Sequence, residues 1–373
     1  MPRGHGRAEG PRLARAAERD ELGDLMAVCF GGVAGPRARQ HRWRPEVRGA
    51  WVIARDGRPV SHIRLVYNHL LIYACRVKVA SIGGVCTHPD YRGQGIATEL
   101  LDRCIAEATE AGATLMIISG GRGLYRRAQA VEAGATRRAD IVASSLPVRS
   151  GRCWVRPGSA DDWPALARLH QQEAVRFARS AEVFARALAH RHHGGVWVVE
   201  SAERIESYLL LSRDWGAGHG APRRLVGEYA GSRGALMEAV PAVLEQAGLE
   251  QICLDVPAHD VELQYLLASR GIEMKGATIK DHTIRLLDLP ELMRRLRRYV
   301  AARLPRREAR ALTFEQGEGC VFGYGSEKQS FDLGPSAALV LGGPRAPQVG
   351  GELGKALGAV LPVPVPLPGL NYV

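Results

Sequence analysis

Residues 80–108, ASIGGVCTHPDYRGQGIATELLDRCIAEA, have the pattern of a strand, a short loop and a helix. The strand contains Gly83 and Gly84, and glycine inside a strand often marks a bulge or a close approach. The loop at residues 92–97 has the form Arg-x-x-Gly-x-Ala, and apolar side chains then recur at helical spacing. Small residues let the backbone approach a ligand, and a helix N-terminus offers free N–H groups to a phosphate. The stretch therefore predicts an anion site between a strand and a helix.

Six residues of this stretch carry a resemblance to a known family. They are Val85, Thr87, Pro89, Arg92, Gly95 and Ala97, and in this spacing they resemble the acetyl-CoA signature of the GNAT superfamily of N-acetyltransferases. Rossmann and P-loop sites are excluded, because the stretch has neither Gly-x-Gly-x-x-Gly nor Gly-Lys-Ser/Thr. The resemblance implies that strand amides near Val85 and Thr87 bind the pantetheine arm and that the loop binds the pyrophosphate. The cofactor-binding residues that it implies are Val85, Cys86, Thr87, Arg92, Gly93, Gln94, Gly95, Ile96, Ala97 and Thr98.

The composition predicts a soluble globular protein of two or three domains. The chain has 373 residues, of which 46% are hydrophobic and 24% charged. No apolar run approaches the roughly 18 residues that a membrane span needs, and the N-terminus lacks the apolar core of a signal peptide. We therefore expect a cytoplasmic protein. Its seven cysteines are scattered and never form Cys-x-x-Cys, so we expect reduced thiols rather than disulfides or a zinc site.

The net charge of +11 raises the question of an anionic partner. The arginines are spread along the whole chain, without the interleaved aromatic residues on which nucleic-acid bases stack. Coenzyme A is itself a polyanion, so no nucleic-acid partner is expected. His190, His192 and His193 have no Cys, Asp or Glu at ligand spacing, and no metal site is expected either.

The order of strands and helices repeats once along the chain. Trp197-Val198-Val199 echoes Trp51-Val52-Ile53, and Arg58 and Ser61 recur as Arg204 and Ser207 at the same offset. The second copy lacks the loop signature, because residues 231–236 read GSRGAL. It is therefore expected to have lost the cofactor and to serve in packing or as a wall of the substrate site.

The last part of the chain changes in character. Leu292, Leu296 and Val300 form the apolar stripe of a helix whose other positions are rich in arginine, and a solvated face is the favoured interpretation of those arginines. Short strands are expected at 311–314, 320–324, 330–333 and 337–341. A small mixed domain follows, and it resembles a sterol-carrier-protein-like fold.

The three parts together resemble the enhanced-intracellular-survival (Eis) family of acetyltransferases. The expected fold is α/β, with tandem GNAT folds on mixed, mostly antiparallel sheets and a small C-terminal sterol-carrier-like α/β domain. We predict a catalytic GNAT domain at 1–148, a degenerate GNAT domain at 149–287 and the third domain with its tail at 288–373. The resemblance also implies a homo-oligomer.

Acetyl transfer to an amine needs an acid for the leaving thiolate and a base for the amine proton. Tyr125 is the predicted acid, since it follows a buried strand and a glycine loop, and its Gly-Leu-Tyr-x-Arg context resembles the Eis family. That family also implies that the terminal carboxylate, here of Val373, is the base. The proline-rich tail that carries it is stiff and has an apolar tip. Two alternatives stay open: a strap that only packs on its own domain, and an amine that arrives neutral.

The sequence thus predicts direct acetyl transfer from acetyl-CoA to a primary amine. An aminoglycoside, a lysine side chain or peptide, and a small-metabolite amine all remain open as acceptors. His62 and His69 lie on strands near the expected cleft and are candidates to line it. The rival hypothesis is a non-catalytic acyl-CoA-binding sensor, in which Tyr125 and the tail serve packing alone.

Overall fold

The computed structural model describes residues 8–30, 46–145, 151–189, 193–212, 223–276 and 282–371. Within these residues the chain forms two seven-stranded sheets and one three-stranded sheet. The first sheet consists of β1 (Ala8–Leu13), β2 (Ala50–Arg55), β3 (Arg58–Ile72), β4 (Cys75–Thr87), β5 (Leu115–Ser119), β8 (Val175–Phe177) and β14 (His282–Leu286). Its order is β1-β2-β3-β4-β5-β14, with β8 beside β3, and only β4 and β5 run parallel.

The second sheet repeats the first in strand order and direction. It consists of β6 (Thr136–Val142), β7 (Trp154–Pro157), β9 (His193–Glu200), β10 (Ile205–Ser212), β11 (Arg223–Gly231), β12 (Gln251–Pro257) and β13 (Met274–Gly276). Its order is β7-β9-β10-β11-β12-β6-β13, and again one pair, β11 and β12, is parallel. The predicted tandem of mixed, mostly antiparallel sheets is therefore confirmed.

The two sheets exchange one strand each. The strand β6 follows the first copy in the chain but pairs with β12 of the second sheet, whereas β14 comes late in the chain and pairs with β5 of the first. Both crossings tie the two copies together. The limits 1–148, 149–287 and 288–373 stay a prediction.

Twelve helices are described beside the sheets. They are α1 (Arg19–Phe30), α2 (Ile96–Glu110), α3 (Gly123–Arg127), α4 (Trp163–Gln172), α5 (Ala181–Ala189), α6 (Arg233–Ala247), α7 (Val261–Ala268), α8 (Leu289–Arg295), α9 (Arg297–Ala301), α10 (Arg306–Ala311), α11 (Leu333–Leu341) and α12 (Gly351–Val360). None of the described helices is long and apolar enough to cross a membrane.

The first sheet has a buried core on each face, because side chains alternate along its strands. On one face, Ile82 and Ile118 pack with Leu100 of α2 in one cluster. On the other face, Val79 and Ile117 pack with residues of α8, α11 and α12. The C-terminal part of the chain therefore covers the second face of the first sheet. The arginines of α8 and α9 point outward and are exposed, as expected of a solvated face.

The C-terminal part contains the three-stranded sheet of β15 (Leu312–Gln316), β16 (Gly319–Tyr324) and β17 (Glu327–Asp332). These strands match three of the four expected there. The fourth prediction is wrong, since residues 337–341 lie in helix α11 instead of a strand. A short apolar run has no periodicity that separates a buried strand from a buried helix.

Candidate active site

A gap opens between β4 and β5 at the middle of the first sheet. Their parallel pairing ends at the pair Ile82 and Ile118, whereas β4 continues to Thr87 along β3. The register of β3 and β4 shifts at this point by one extra residue on β4, and Gly84 there has φ +60°. This is the bulge that the two glycines predict. Beyond it, the side of β4 that faces away from β3 has no strand partner among the described residues.

The loop that follows β4 is open toward solvent. Gly93 and Gly95 have φ near +78° and +79°, and a side chain built on either would meet nothing within 4 Å. No described backbone carbonyl accepts a hydrogen bond from the N–H groups of residues 93–97. The N–H of Thr98, by contrast, already donates to the Gly95 carbonyl at 2.9 Å and closes the first turn of α2. Five consecutive N–H groups are thus available to an anion.

Positive charge lies around this loop. The Arg92 Nε donates to the Thr87 carbonyl at 3.1 Å, which places the guanidinium at the end of β4. The Cys29 thiol donates to the same carbonyl at 3.4 Å. A hydrogen bond with Cys86, assisted by the nearby charges of Arg92 and Arg122, lowers the pKa of Cys29 to about 7 although burial opposes it. The N–H donors of the loop therefore lie beside the positive charge of Arg92.

The described residues of the second copy form no comparable site. Helix α6 begins directly after β11, and Arg233 at its first position binds the carboxylates of Glu173 at 2.7 Å and Asp260 at 2.9 Å. The Ser232 side chain accepts from the Ala235 N–H and caps the helix. The helix N-terminus is thus satisfied by its own chain, in agreement with the missing signature.

Tyr125 lies at the far end of β5, on the short helix α3. Its side chain is 2% exposed and belongs to the core cluster of Ile118 and Leu287. A side chain built on Gly120 would lie 3.8 Å from the tyrosine ring, so the ring lies beside the turn that ends β5. The predicted acid is therefore buried next to the gap, on the face of the sheet that α2 covers.

The C-terminal tail approaches the gap from the opposite face. Pro368 and Asn371 line a small cavity together with Ser81, Ser119 and His282. The Asn371 side chain also donates to the side-chain oxygen of Asn68 on β3 at 3.1 Å. Val373, the predicted base, lies outside the described residues, two positions beyond Asn371. The tail and Tyr125 thus reach the gap from its two faces.

Sequence reasoning missed the polar residues of this face. His282 is brought there by β14, and Ser81 and Asn68 are polar positions within otherwise apolar strands. That break in the apolar pattern was the available signal for Ser81 and Asn68. His69, a candidate for lining the cleft, bonds to Arg76 and does not line this cavity. His190 and His192 lie outside the described residues, and no three metal-ligating side chains are grouped in the rest.

Two buried histidines are held neutral near the gap. Burial lowers the pKa of His62 and of His282 to about 4 in each case. The His62 Nδ1 lies 2.9 Å from the Gly84 carbonyl oxygen, which can only accept, so Nδ1 carries the proton. Its Nε2 is buried without a partner among the described residues. His62 is therefore neutral, and its Nδ1–H donates a hydrogen bond that holds the Gly84 carbonyl of the bulge in place.

These two histidines predict a loss of stability in acid. The unfolded chain takes up protons below the ordinary pKa of 6.5, whereas the folded chain does so only near pH 4. The free energy of unfolding should therefore fall by about 1.4 kcal/mol per pH unit and per histidine as pH decreases through this window. Urea unfolding at pH values of about 7, 6 and 5 measures the slope. In His282→Asn the slope should decrease by the contribution of one histidine, about 1.4 kcal/mol per pH unit. An unchanged slope would contradict the lowered pKa of His282.

Comparison with known proteins shows what this site and the chain around it are similar to. Residues 11–129 match the family model described as an acetyltransferase (GNAT) domain. No curated protein sequence matches the chain significantly. The solved structure of a GCN5-related N-acetyltransferase from Anabaena variabilis ATCC 29413 is 15% identical in sequence. The superposition covers 97% of this chain and 98% of that protein, with a TM-score of 0.66.

Two further solved structures share the fold over similar lengths. A GCN5-related N-acetyltransferase from Kribbella flavida is 18% identical, and the match covers 97% of this chain and 99% of that protein with a TM-score of 0.64. Eis1 from Mycobacterium abscessus is 16% identical, and the match covers 94% of this chain and 96% of that protein with a TM-score of 0.60. Residues 11–129 thus match a GNAT acetyltransferase domain, and the chain as a whole has the fold of these solved structures, Eis1 among them.

Proposed function

We propose that the protein is an acetyl-CoA-dependent N-acetyltransferase that transfers acetyl directly to a primary amine. The observation that carries this proposal is the gap between β4 and β5, which continues into the open loop in front of α2. The gap presents a free strand edge at residues 85–87, with which the amides of a pantetheine arm can pair. The loop then presents five N–H groups and Arg92 to the pyrophosphate.

The residues around the gap divide the chemistry between them. Acetyl-CoA supplies the acetyl group as a thioester. Backbone N–H groups of the bulged strand near Val85 donate to the thioester carbonyl and stabilise the charge that develops on its oxygen. The Tyr125 hydroxyl donates a proton to the leaving thiolate, and the Val373 carboxylate accepts the proton of the amine. Pro368 and Asn371, which precede Val373 in the chain, lie on the face of the sheet opposite to the one that holds Tyr125, so the proposed base and acid would act from different sides of the gap.

The acceptor amine binds, in this proposal, at the face of the first sheet that the tail covers. The side chains described there, Asn68, Ser81, Ser119 and Asn371, are neutral and can both donate and accept hydrogen bonds. Such a surface suits an amine that carries few other charges. A lysine-containing peptide or a small-metabolite amine is therefore favoured over an aminoglycoside, whose several positive charges need carboxylates nearby.

The open loop provides a direct test of the cofactor site. Gly93→Asp puts a negative charge where the pyrophosphate would lie, and we expect it to raise the Kd for coenzyme A at least about tenfold. Gly57→Asp is the matched control, because Gly57 also has a φ near +76° and open surroundings but lies in the turn between β2 and β3. Calorimetric titration measures both, and equal Kd values would contradict the proposed site.

The same preparation tests the reaction itself. The unmodified protein is incubated with acetyl-CoA and, in turn, a lysine peptide, a small diamine and an aminoglycoside, and acetylated products are identified by mass. We expect acetylation of the peptide or the diamine at a higher kcat/KM than of the aminoglycoside. Tight coenzyme A binding without any acetylated product would contradict the enzyme and favour the acyl-CoA sensor.

A further inference from the structure

We propose that the buried ion pair of Arg179 and Glu228 positions the end of the chain at the acceptor side of the gap. The second copy, which lacks the loop signature, would then contribute to the reaction by holding the C-terminal tail in position. This inference rests on the proposed function, because it assigns the positioned segment to acetyl transfer. Its structural basis is a set of contacts that joins both sheets to residues 369–371.

The ion pair itself connects the two sheets. Arg179 lies just beyond β8, which pairs with β3 of the first sheet, while Glu228 lies on β11 of the second. The two guanidinium nitrogens donate to the two carboxylate oxygens at 2.7 and 2.8 Å, and the arginine side chain is only 2% exposed. The Tyr208 hydroxyl adds a further donor to Glu228 at 2.8 Å. A bidentate pair with this support has little freedom to move.

Each member of the pair also binds the tail. The Glu228 carboxylate accepts from the Leu370 N–H at 3.0 Å, and the Arg179 Nε donates to the Asn371 side-chain oxygen at 2.5 Å. The Asn371 amide nitrogen donates in turn to Asn68 of β3. One asparagine thus bridges the ion pair and the first sheet with both of its polar atoms.

Gly369 shows how closely the tail is held. A side chain built there would lie 2.2 Å from the Glu228 Oε2, and the residue has φ +51°. Only glycine lets the backbone pass the carboxylate at this distance. The backbone of the tail therefore packs directly against the carboxylate of this ion pair.

The ion pair keeps its charge at neutral pH. Burial by itself raises the pKa of Glu228, but the charge and hydrogen bonds of Arg179 outweigh burial and lower it to about 2. The Leu370 N–H contributes in the same direction. Both bonds to the tail are thus charge-assisted, the stronger class of hydrogen bond.

Chain geometry connects these contacts to the active site. Asn371 lines the cavity beside Ser81 and Ser119, so the contacts with the ion pair hold residues 369–371 at this cavity, two positions before the predicted base. Releasing residues 369–371 frees that end of the chain to leave the gap. The positioning role is therefore separate from the chemical role proposed for the carboxylate.

The test uses the full chain with changes in the tail, because removal of one charge of the buried pair is expected to unfold part of the protein. In Gly369→Val and in Asn371→Ala we expect carboxypeptidase to remove residues 372 and 373 about ten- to a hundredfold faster, as loss of charge-assisted hydrogen bonds predicts. We also expect kcat to fall about tenfold or more, with the Kd for coenzyme A unchanged. Gly350→Val is the matched control, since Gly350 has open surroundings in the same part of the chain.

The outcomes separate this inference from the proposed function. Unchanged protection from carboxypeptidase in both variants overturns the positioning role. Faster removal with an unchanged kcat also overturns it, while leaving the acetyltransferase intact. A wild-type protein that acetylates no amine overturns both proposals.

Discussion

Tyr125→Phe is expected to lower kcat for acetyl transfer by about a hundredfold or more while leaving the Kd for coenzyme A within about twofold. The substitution removes one hydroxyl and keeps the ring, which lies buried beside Gly120 at the end of β5. If the hydroxyl donates the proton to the departing thiolate, its loss raises only the barrier of that step. Binding of the cofactor depends instead on β4 and on the loop at 92–97.

Stability measurements distinguish this result from damage to the core. The phenylalanine ring would fill the same space as the tyrosine ring, so the free energy of unfolding should change by no more than about 1–2 kcal/mol. Tyr265→Phe is the control for the chemical change, because Tyr265 is 72% exposed on α7, outside the candidate site. A kcat that is equal in Tyr125→Phe and wild type would limit Tyr125 to packing.

Local signals in the sequence were sufficient for the hairpin turn, the bulge and the loop of the first copy. Asp56 and Gly57 both have positive φ at the turn between β2 and β3, the backbone conformation that an Asp-Gly pair favours in a hairpin. Gly84 lies in a bulge, and the Arg-x-x-Gly-x-Ala motif at 92–97 leads into a helix that begins at Ile96. Each of these features depends on a few adjacent residues, and such residues carry their own backbone preferences.

Long-range pairing was beyond the same reasoning. Nothing in the pattern of β6 or β14 indicates that each pairs with the sheet of the other copy, because an edge position is fixed by tertiary contacts. His282 was missed for this reason. Arg179 and Glu228 were missed as well, since partners 49 positions apart share no spacing rule. The residues that complete the candidate site thus come from several distant segments.

The tail is the other place where a large effect is expected. Extending the chain by one glycine after Val373 moves the terminal carboxylate by about 3.5 Å and leaves Leu370 and Asn371 in their contacts. Deleting residues 370–373 removes these contacts and leaves the terminal carboxylate on Gly369, four residues earlier in the chain. We expect both changes to lower kcat at neutral pH by about a hundredfold, since general base catalysis contributes in this range. Product formation with the best amine of the panel is the measurement.

The pH dependence of that loss identifies the missing group as a base. A primary amine such as that of lysine has a pKa of about 10.4, so at neutral pH nearly all of it arrives protonated and a base is needed. As pH increases toward that value, more of the amine arrives neutral and the altered chains should approach the wild-type kcat. Val373→Ala keeps both the chain length and the carboxylate, and it should retain wild-type activity throughout. If the extended and shortened chains match the wild type at neutral pH, the tail is a strap that packs, and the amine must lose its proton to another group.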